Sequence, residues 1–457
     1  MITRHFIDVG SRRVHYRKAG KGPPLLMAHQ SPRSSAEYIP LIERWSAHFT
    51  CIAPDTPGFG QSDPFPSRAD GSQPEIGDFA DALVGFLDAI GIERTAAYGF
   101  HSGGIILASA LKRHPKRFSA LAIGGYAIWT PAEMALFGEH YLPPFKPSAY
   151  GEHLTWAWNR ILEQTWFFPW FAVEPAARMT VAHDDPARVH PTIRDLLDSG
   201  DAYRAGYGAV LRSPRDLPGL DADVPPVRIT AYNGDPLQDH LARLGELPAG
   251  WEAFPVPTPA DHEAASLEFL LAHGDTAAPQ PAEAADEGFI HVAAGGFDGL
   301  IHWKGRRGAE TATLHAPGEA LDLLTEAELA IDLPGHGLSD DWAGERPTRW
   351  ADWQAVIDAA GAALGFHHAT HRPAPAGEPD RLFPDLTPDR FGAYLTKAWS
   401  IVRARTFFAP WYEACAANAL PFAPEDVAPH RLARAHLALL RAPAARDCLV
   451  ALRSKEG

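Results

Sequence analysis

The sequence predicts an α/β fold with a mostly parallel sheet and helices on both of its faces. Three observations support this prediction. Strand-like apolar runs alternate with helical segments over residues 1–274, a glycine-flanked turn joins one such run to a helix, and the second half of the chain echoes the first. With 457 residues, 46% hydrophobic and 21% charged, the chain has the length of two domains and an ordinary globular composition.

Short apolar runs mark the strands, and a helical pattern separates two of them. The segment 76–90 carries its apolar residues on one helical face. A long aromatic and helical insertion covers about 131–212, and we interpret it as a helical lid. The predicted strands lie at 14–17, 24–29, 50–53, 95–98, 119–123, 227–230 and 251–254.

The second half of the chain repeats parts of the first. Residues 332–340 echo 55–63, and residues 395–399 echo 154–158. In the first half, these segments begin at residues 55 and 154, which are 99 residues apart. In the second half they begin at residues 332 and 395, which are only 63 residues apart. The missing stretch is where the glycine-flanked turn, its helix and the next strand belong. We therefore predict a degenerate partial repeat without a reactive turn, whose role is structural.

Composition also divides the chain. The segment 275–287 is rich in Ala and Pro and is interpreted as a linker. The predicted domains are thus residues 1–274, which include the lid, and residues 288–457, the truncated repeat.

The glycine-flanked turn is the most informative local feature. Gly99 and Gly103 flank His101 at the spacing of a nucleophile elbow, a sharp strand–turn–helix connection that exposes a reactive side chain. Histidine is among the few non-glycine residues enriched at positive φ. The alternative register makes Ser102 the nucleophile and leaves Phe100 at a glycine position. A third interpretation keeps the turn but not the chemistry.

Two further candidates follow late strands of the same domain. Asp235 stands in an Asn-Gly-Asp-Pro turn after the run at 227–230, and His262 follows the run at 251–254. Ligands of open α/β sheets bind beyond the carboxyl ends of the strands. The order nucleophile, Asp, His is the order of the α/β-hydrolase triad, so these side chains are expected to meet at that edge.

On these motifs, residues 1–274 resemble the α/β-hydrolase superfamily. The sub-group they are most similar to has a His-Gln-x-Pro-Arg loop, here residues 29–33, and a histidine in the elbow. The resemblance implies that His262 is the general base and that Asp235 fixes its tautomer. It also implies an oxyanion hole built from the backbone N–H of Gln30 or Ser31.

The N–H of Ser102 completes that implied oxyanion hole. Most relatives carry His-Gly in the loop, so Gln30 is a departure, and its side-chain amide is a further candidate donor. The candidate substrate-binding residues are His29, Arg33, Trp158 and Trp166. Of these, His29 is expected to be a buried, hydrogen-bonded side chain, and Arg33 is a candidate partner for a substrate carboxylate.

The resemblance implies an enzyme. The sequence shows no Gly-rich phosphate loop and no His-Glu-x-x-His spacing, so we expect no cofactor and no metal. We expect a hydrolase of a small hydrophobic or aromatic ester, lactone or ketone, in which His101 either attacks an acyl group or acts without a covalent bond. Two alternatives stay open. One is a lyase of the same fold that uses His101 and His262 for proton transfer, and the other is a noncatalytic binding protein.

The charge and cysteine content limit the partners. The formal net charge of −15 argues against nucleic acid and anionic membrane surfaces, which attract basic proteins. Three cysteines without a Cys-x-x-Cys pair, and no apolar leader, lead us to expect a cytoplasmic protein. A small molecule is the expected partner, and the sequence leaves open whether the chain forms a homo-oligomer.

Overall fold

The computed structural model describes residues 1–274 and 284–454, and the chain divides into two compact units. Unit 1 comprises Met1–Phe145 with Arg160–Glu283, and unit 2 comprises Lys146–Asn159 with Ala284–Gly457. Most of the predicted linker lies outside the described residues, and its last residue, Glu287, begins a strand. No helix in the described ranges has the length and apolarity needed to cross a membrane.

Unit 1 is built on an eight-stranded sheet in the order β1-β2-β4-β3-β5-β6-β7-β8. The first two strands pair antiparallel with each other, β2 pairs antiparallel with β4, and all later pairs are parallel. The strands are β1 (Thr3–Val9), β2 (Arg12–Ala19), β3 (Pro24–Ala28), β4 (Thr50–Pro54), β5 (Thr95–Phe100), β6 (Phe118–Gly124), β7 (Val227–Tyr232) and β8 (Trp251–Val256).

Helices connect the parallel strands, as the alternating pattern predicts. The central strands β3, β4 and β6 are buried along their whole length, so they consist of continuous apolar runs. The helices are α1 (Ile39–Trp45), α2 (Ile76–Ala89), α3 (Ser102–Arg113), α4 (Pro131–His140), α5 (Glu152–Gln164), α6 (Pro186–Ser199), α7 (Tyr203–Leu211) and α8 (Pro259–Ala272).

Unit 2 contains a five-stranded sheet in the order β13-β11-β12-β10-β9. This order matches the order β5-β3-β4-β2-β1 of unit 1 strand for strand, with parallel and antiparallel pairs at the same places. The strands are β9 (Glu287–Ala294), β10 (Phe297–Gly305), β11 (Thr311–Leu314), β12 (Leu329–Ile331) and β13 (His368–His371), and the helices are α9 (Trp350–Leu364), α10 (Pro379–Leu382), α11 (Ala393–Ala404), α12 (Pro429–Leu440) and α13 (Ala445–Ser454).

The two echoing loops form the same hydrogen bonds around a buried aspartate. In unit 1, Asp55 accepts the backbone N–H groups of Ser35 at 2.7 Å and Gln61 at 2.9 Å, and contacts His15 Nδ1 at 2.8 Å. Burial alone raises the pKa of Asp55, but His15 and the nearby side chains of Arg17 and His29 outweigh it and hold that pKa below its ordinary value.

In unit 2, Asp332 occupies the corresponding position. It accepts the N–H groups of Leu321 at 2.8 Å and Leu338 at 2.9 Å and contacts His302 Nδ1 at 2.8 Å. In both units, one short loop is therefore fixed by a desolvated carboxylate whose lone pairs are satisfied by backbone donors.

One part of the predicted lid belongs to a different unit from the one we expected. Residues 146–159 have their contacts in unit 2, although the sequence placed them in the first domain. The reason is a reciprocal pair of indole hydrogen bonds. Trp158 Nε1 donates to the Arg390 carbonyl at 3.2 Å, and Trp399 Nε1 donates to the Ala149 carbonyl at 3.4 Å.

The aspartate loop gives a direct test of this packing. Gly60 has φ = +54°, and a Cβ there would lie 2.1 Å from Asp55 Oδ2. We expect Gly60→Ala to destabilise unit 1 by several times the ~1 kcal/mol that a positive φ alone costs. Gly10→Ala is the matched control, since Gly10 has φ = +62° with nothing within 4 Å of the added methyl. Urea unfolding measures both changes, and equal losses would contradict the account.

Candidate functional site

The elbow lies between β5 and α3. β5 ends at Phe100, α3 begins at Ser102, and His101 between them has φ = 46° and ψ = −116°. Of the non-glycine residues that the structure describes, His101 alone has a positive φ. A backbone of this kind costs about 1–3 kcal/mol and persists only where the surroundings enforce it, which is typical of functional sites.

Close backbone approach explains the flanking glycines. A Cβ at Gly103 would lie 1.9 Å from the carbonyl oxygen of Ala28, and one at Gly99 would lie 2.6 Å from the nitrogen of Gly104. Neither position has room for a side chain. The register that places His101 at the elbow is thus the one that the backbone adopts.

The side chain of His101 meets Asp235. His101 Nε2 lies 3.1 Å from Asp235 Oδ1 and 3.2 Å from Oδ2. Burial alone raises the pKa of Asp235, but His101 and the N–H of Leu237, 2.8 Å from Oδ1, outweigh it and lower that pKa. An ionised carboxylate only accepts hydrogen bonds, so the proton lies on Nε2 of His101. Its Nδ1 has no partner among the described residues.

The second of two glycines at the end of β6 permits this contact. Gly124 and Gly125 lie between the ends of β5 and β7. A Cβ at Gly125 would come within 2.6 Å of His101 Cδ2 and 2.9 Å of Asp235 Oδ2. We did not predict a role for these glycines from the sequence, although a Gly-Gly pair at the end of a buried strand is a visible signal of close approach.

The expected hydrogen bond between Asp235 and His262 is not formed. His262 Nε2 lies 2.9 Å from the Tyr98 hydroxyl and Nδ1 lies 2.6 Å from Thr230 Oγ1. The imidazole is buried, and burial lowers the pKa of His262 to about 4, with Asp235 opposing that shift. Both ring nitrogens are occupied, and the ring is neutral near pH 7.

The helix start accounts for this correction. α8 begins at Pro259, and the N–H of His262 donates to the Thr258 carbonyl at 3.1 Å. The residue lies in the first turn of the helix, where its ring packs back against β5 and β7. The sequence showed a histidine after a strand, but not that the helix starts three residues earlier.

Two of the three predicted oxyanion donors are occupied. Gln30 donates its N–H to Glu37 Oε1 at 2.7 Å and its side-chain amide to Oε2 at 3.1 Å. The N–H of Ser31 donates to Ser102 Oγ at 2.6 Å. The backbone N–H of Ser102 opens α3 and meets no acceptor among the described residues, as is usual at a helix N-terminus.

The predicted substrate-binding residues are also held by the protein. Arg33 Nε donates to Asp195 in α6 at 2.9 Å, and its Nη1 lies 3.9 Å from Glu37 Oε2, so two carboxylates of the protein already balance the charge expected to bind a substrate carboxylate. His29 Nε2 accepts the N–H of Thr56 at 3.0 Å, so His29 is the buried, hydrogen-bonded residue that the sequence suggested.

The two tryptophans proposed for substrate binding have separate locations. Trp158 is buried within unit 2 and therefore does not belong to the unit that holds His101. Trp166 Nε1 donates to the His183 carbonyl at 2.7 Å. Over residues 1–274 and 284–454, no three His, Cys, Asp or Glu side chains are grouped so as to hold a metal ion.

Comparison with known proteins supports the fold of unit 1. Residues 23–140 match the family described as the alpha/beta hydrolase fold. The haloalkane dehalogenase 2 of Mycobacterium bovis is 30% identical over 131 residues, which cover 29% of this chain and 44% of that protein. The cis-3-alkyl-4-alkyloxetan-2-one decarboxylase of Shewanella oneidensis is 31% identical over 27% of this chain and 38% of its own length.

Another relative matches over a longer stretch of the chain. The haloalkane dehalogenase of Sphingobium indicum is 28% identical over 230 residues, 48% of this chain and 71% of that protein. Among solved structures, epoxide hydrolase A of Mycobacterium thermoresistibile aligns with 60% of this chain and all of its own, at 18% identity and a TM-score of 0.47. The chain spans less than half the length of the first curated relatives.

The buried His262 predicts a pH-dependent stability. The unfolded chain binds a proton at this histidine below pH 6.5, whereas the folded protein binds it only near pH 4. Between these values the unfolded state holds more protons, so falling pH costs stability, on the order of 3 kcal/mol. We expect His262→Gln to remove this component from urea unfolding curves recorded between pH 7 and 4.5.

His48→Gln, at an exposed position, controls for the loss of a histidine in that experiment. A His262→Gln variant with the full pH dependence of the wild type would contradict the buried, neutral assignment.

Proposed function

We propose that unit 1 is an enzyme of the α/β-hydrolase type that hydrolyses a small hydrophobic or aromatic ester, lactone or ketone without a cofactor. The observation that carries this proposal is the His101–Asp235 pair at a strained elbow. Asp235 was expected to hydrogen-bond to His262, but it bonds to the elbow residue His101 itself.

The pair supplies a base. With its Nε2 proton held by Asp235, His101 presents the lone pair of Nδ1. In the proposed reaction a water oxygen bonds to the substrate carbonyl carbon, and one water proton passes to Nδ1. Asp235 stabilises the imidazolium that forms. The oxyanion then collapses, the bond to the leaving group breaks, and the imidazolium returns the proton to the leaving atom.

The N-terminus of α3 supports the developing negative charge. The N–H of Ser102 has no acceptor among the described residues and follows the reacting residue directly. Helix N-termini stabilise anions through such N–H groups. The N–H of Ser102 is thus the part of the predicted oxyanion hole that is available to a substrate. The other predicted donors, Gln30 and Ser31 in the loop after β3, already bond to Glu37 and to the Ser102 hydroxyl.

If His101 instead attacks the substrate directly, this covalent route favours carbonyl substrates over the alkyl halides and epoxides that the names of several relatives specify. An imidazole that attacks an acyl carbon gives an acyl-imidazole, which water cleaves. Attack on a saturated carbon would instead give an N-alkyl-imidazole with no carbonyl for water to attack, and the enzyme would be consumed. Phe100, stacked on His101 at 4.1 Å between ring centroids, supports an apolar or aromatic substrate.

Lyase chemistry is a second candidate because one relative is named a decarboxylase of an alkyl-oxetan-2-one, a four-membered lactone. The same base and the same N–H donor could assist loss of carbon dioxide from such a ring. Hydrolysis and decarboxylation of one β-lactone give different products, so a single substrate separates them.

We further propose that unit 2 is a truncated copy of the fold of unit 1. Its five strands follow the same order, and Asp332 repeats the contacts of Asp55. The three cysteines are all unpaired thiols, which supports a reducing compartment such as the cytoplasm.

The central prediction concerns a panel of short aryl esters and γ-lactones. We expect His101→Ala to lower kcat/KM by at least about 10³-fold, because it removes the base. Asp235→Asn should cost about 10²–10⁴-fold, because the amide cannot hold the same tautomer. Initial rates at pH 7.5 measure both losses.

Two variants serve as controls in that panel. His262→Gln should retain activity, since both nitrogens of His262 bond within the protein. Ser102→Ala should lose less than His101→Ala, because its N–H remains. A loss confined to Ser102→Ala and His262→Gln would show an ordinary serine hydrolase and overturn the proposal.

A separate experiment decides between hydrolysis and elimination. We expect a 3,4-dialkyl-oxetan-2-one to give the β-hydroxy acid, with one ¹⁸O incorporated from labelled water. Release of carbon dioxide with an alkene, dependent on His101, would instead establish the lyase. Mass spectrometry of the products distinguishes the two, with His101→Ala as the blank.

A further inference from the structure

Unit 2 contains a cavity of about 310 Å³ that plays no part in the proposed chemistry of unit 1. All of its lining residues belong to unit 2. Ala316 and Pro317, which follow β11, form one side, and Pro373 and Pro375, which follow β13, form another. The volume lies at the lower end of the range for ligand sites, so it fits a small molecule.

The place of the cavity in the fold is informative. The loop after β11 corresponds to the loop after β3, and β13 corresponds to β5, by the matching strand orders. In unit 1 the strand is followed at once by the elbow and α3, whereas residues 372–378 of unit 2 form no helix. Unit 2 therefore keeps the edge of the sheet where ligands bind in such folds, but not the reactive turn.

One cation in the cavity lacks a partner. Arg405 lines it at the end of α11, and its guanidinium makes no hydrogen bond or ion pair within the described ranges. Burial lowers the pKa of Arg405, and the field of Glu319 only partly opposes that shift. The side chain is half-buried. A desolvated charge is costly unless it is paired, so an arginine in this state marks a place for an anion.

The other charged residues of the cavity are already paired. Glu319 Oε2 accepts from Arg372 Nη1 at 3.1 Å, and Asp426 Oδ1 accepts from Arg431 Nη1 at 3.1 Å. The charges balance within each pair, so the charge of Arg405 is opposed only by the field of Glu319, which Arg372 already shares. Counted on without a gap from the echoing segments 154–158 and 395–399, the residue of unit 1 that corresponds to Arg405 is Gln164. It is neutral and bonds to Arg160, so the fold itself does not require a cation there.

The remaining walls are apolar. They are contributed by α10, α11 and α12 and by the segment that follows α11. The principal side chains are Leu382, Phe383, Ile401, Val402, Phe408 and Leu432. A ligand that fits this cavity combines one anionic group for the planar guanidinium with a small hydrophobic body.

We propose that unit 2 binds a small carboxylate with an aromatic or branched aliphatic body, with its carboxylate on Arg405. The site is independent of the reaction proposed for unit 1. It gives the truncated half a role as a binding module, in which the cavity next to the sheet edge holds a ligand without transforming it.

Phenylacetate is a suitable probe, and phenylacetamide is its neutral isostere. Isothermal titration of the full chain should show phenylacetate binding at least about tenfold more tightly than phenylacetamide. Arg405→Gln, which installs the residue found at the unit 1 position, should weaken phenylacetate binding by about ten- to one-hundredfold. The variant should fold normally, because it removes an unpaired and partly desolvated charge.

Three control variants test whether phenylacetate binds in this cavity. Arg349→Gln removes an exposed arginine of unit 2 and should leave the affinity unchanged. His101→Ala should also leave it unchanged, which separates this site from unit 1. Trp411 lines the cavity, so phenylacetate should alter the tryptophan fluorescence of the wild type, and Trp411→Phe should abolish that response even if Arg405→Gln fails to fold.

Equal affinity for the acid and the amide would overturn the proposal, as would an unchanged affinity in Arg405→Gln or no binding to the wild type at millimolar concentration. Binding that is lost in His101→Ala but kept in Arg405→Gln would place the carboxylate in unit 1 and overturn it as well.

Discussion

The hydrogen bond between His101 and Asp235 is the interaction on which the arrangement of unit 1 depends. The two residues follow β5 and β7, which are not neighbours, because β6 lies between them in the sheet. Their side chains therefore meet across the end of β6, where Gly125 leaves the space. The positive φ of His101 places its side chain at this edge of the sheet, in reach of Asp235.

The aspartate loops help to separate structural from chemical residues. Asp55 and Asp332 form matching hydrogen bonds in two units, of which only unit 1 has an elbow. A feature that persists without the reactive turn serves the fold, so we assign the Asp55 loop to packing rather than to catalysis. By the same comparison, the His101–Asp235 pair is specific to unit 1, and the unpartnered Arg405 is specific to unit 2.

Sequence reasoning predicted the features that depend on local spacing. The glycines around His101 predicted its backbone conformation, because no side chain fits at Gly99 or Gly103. The alternation of apolar runs likewise predicted the parallel strands of unit 1. The hydrogen-bond partners of the candidate site residues were harder to predict from the sequence. They depend on where a helix starts and on which acceptors compete for the same donor. His262 was assigned to Asp235, yet the early start of α8 turns its ring towards Tyr98 and Thr230.

The membership of residues 146–159 in unit 2 was equally hidden from the sequence. It rests on tertiary hydrogen bonds of Trp158 and Trp399 with carbonyls far away in the chain, Arg390 and Ala149. The repeat of the Leu-Thr-x-Ala-Trp segment did show that both segments are helical and alike. It could not show that two like segments pair with each other.

The tautomer of His101 is the most direct test of the account. ¹⁵N-edited NMR of histidine-labelled protein near pH 8 reports which ring nitrogen carries the proton. The account predicts the Nε2–H form in the wild type, and loss of that preference in Asp235→Asn with His262 unchanged. A proton on Nδ1 of His101, or an imidazole that does not respond to Asp235→Asn, would contradict it.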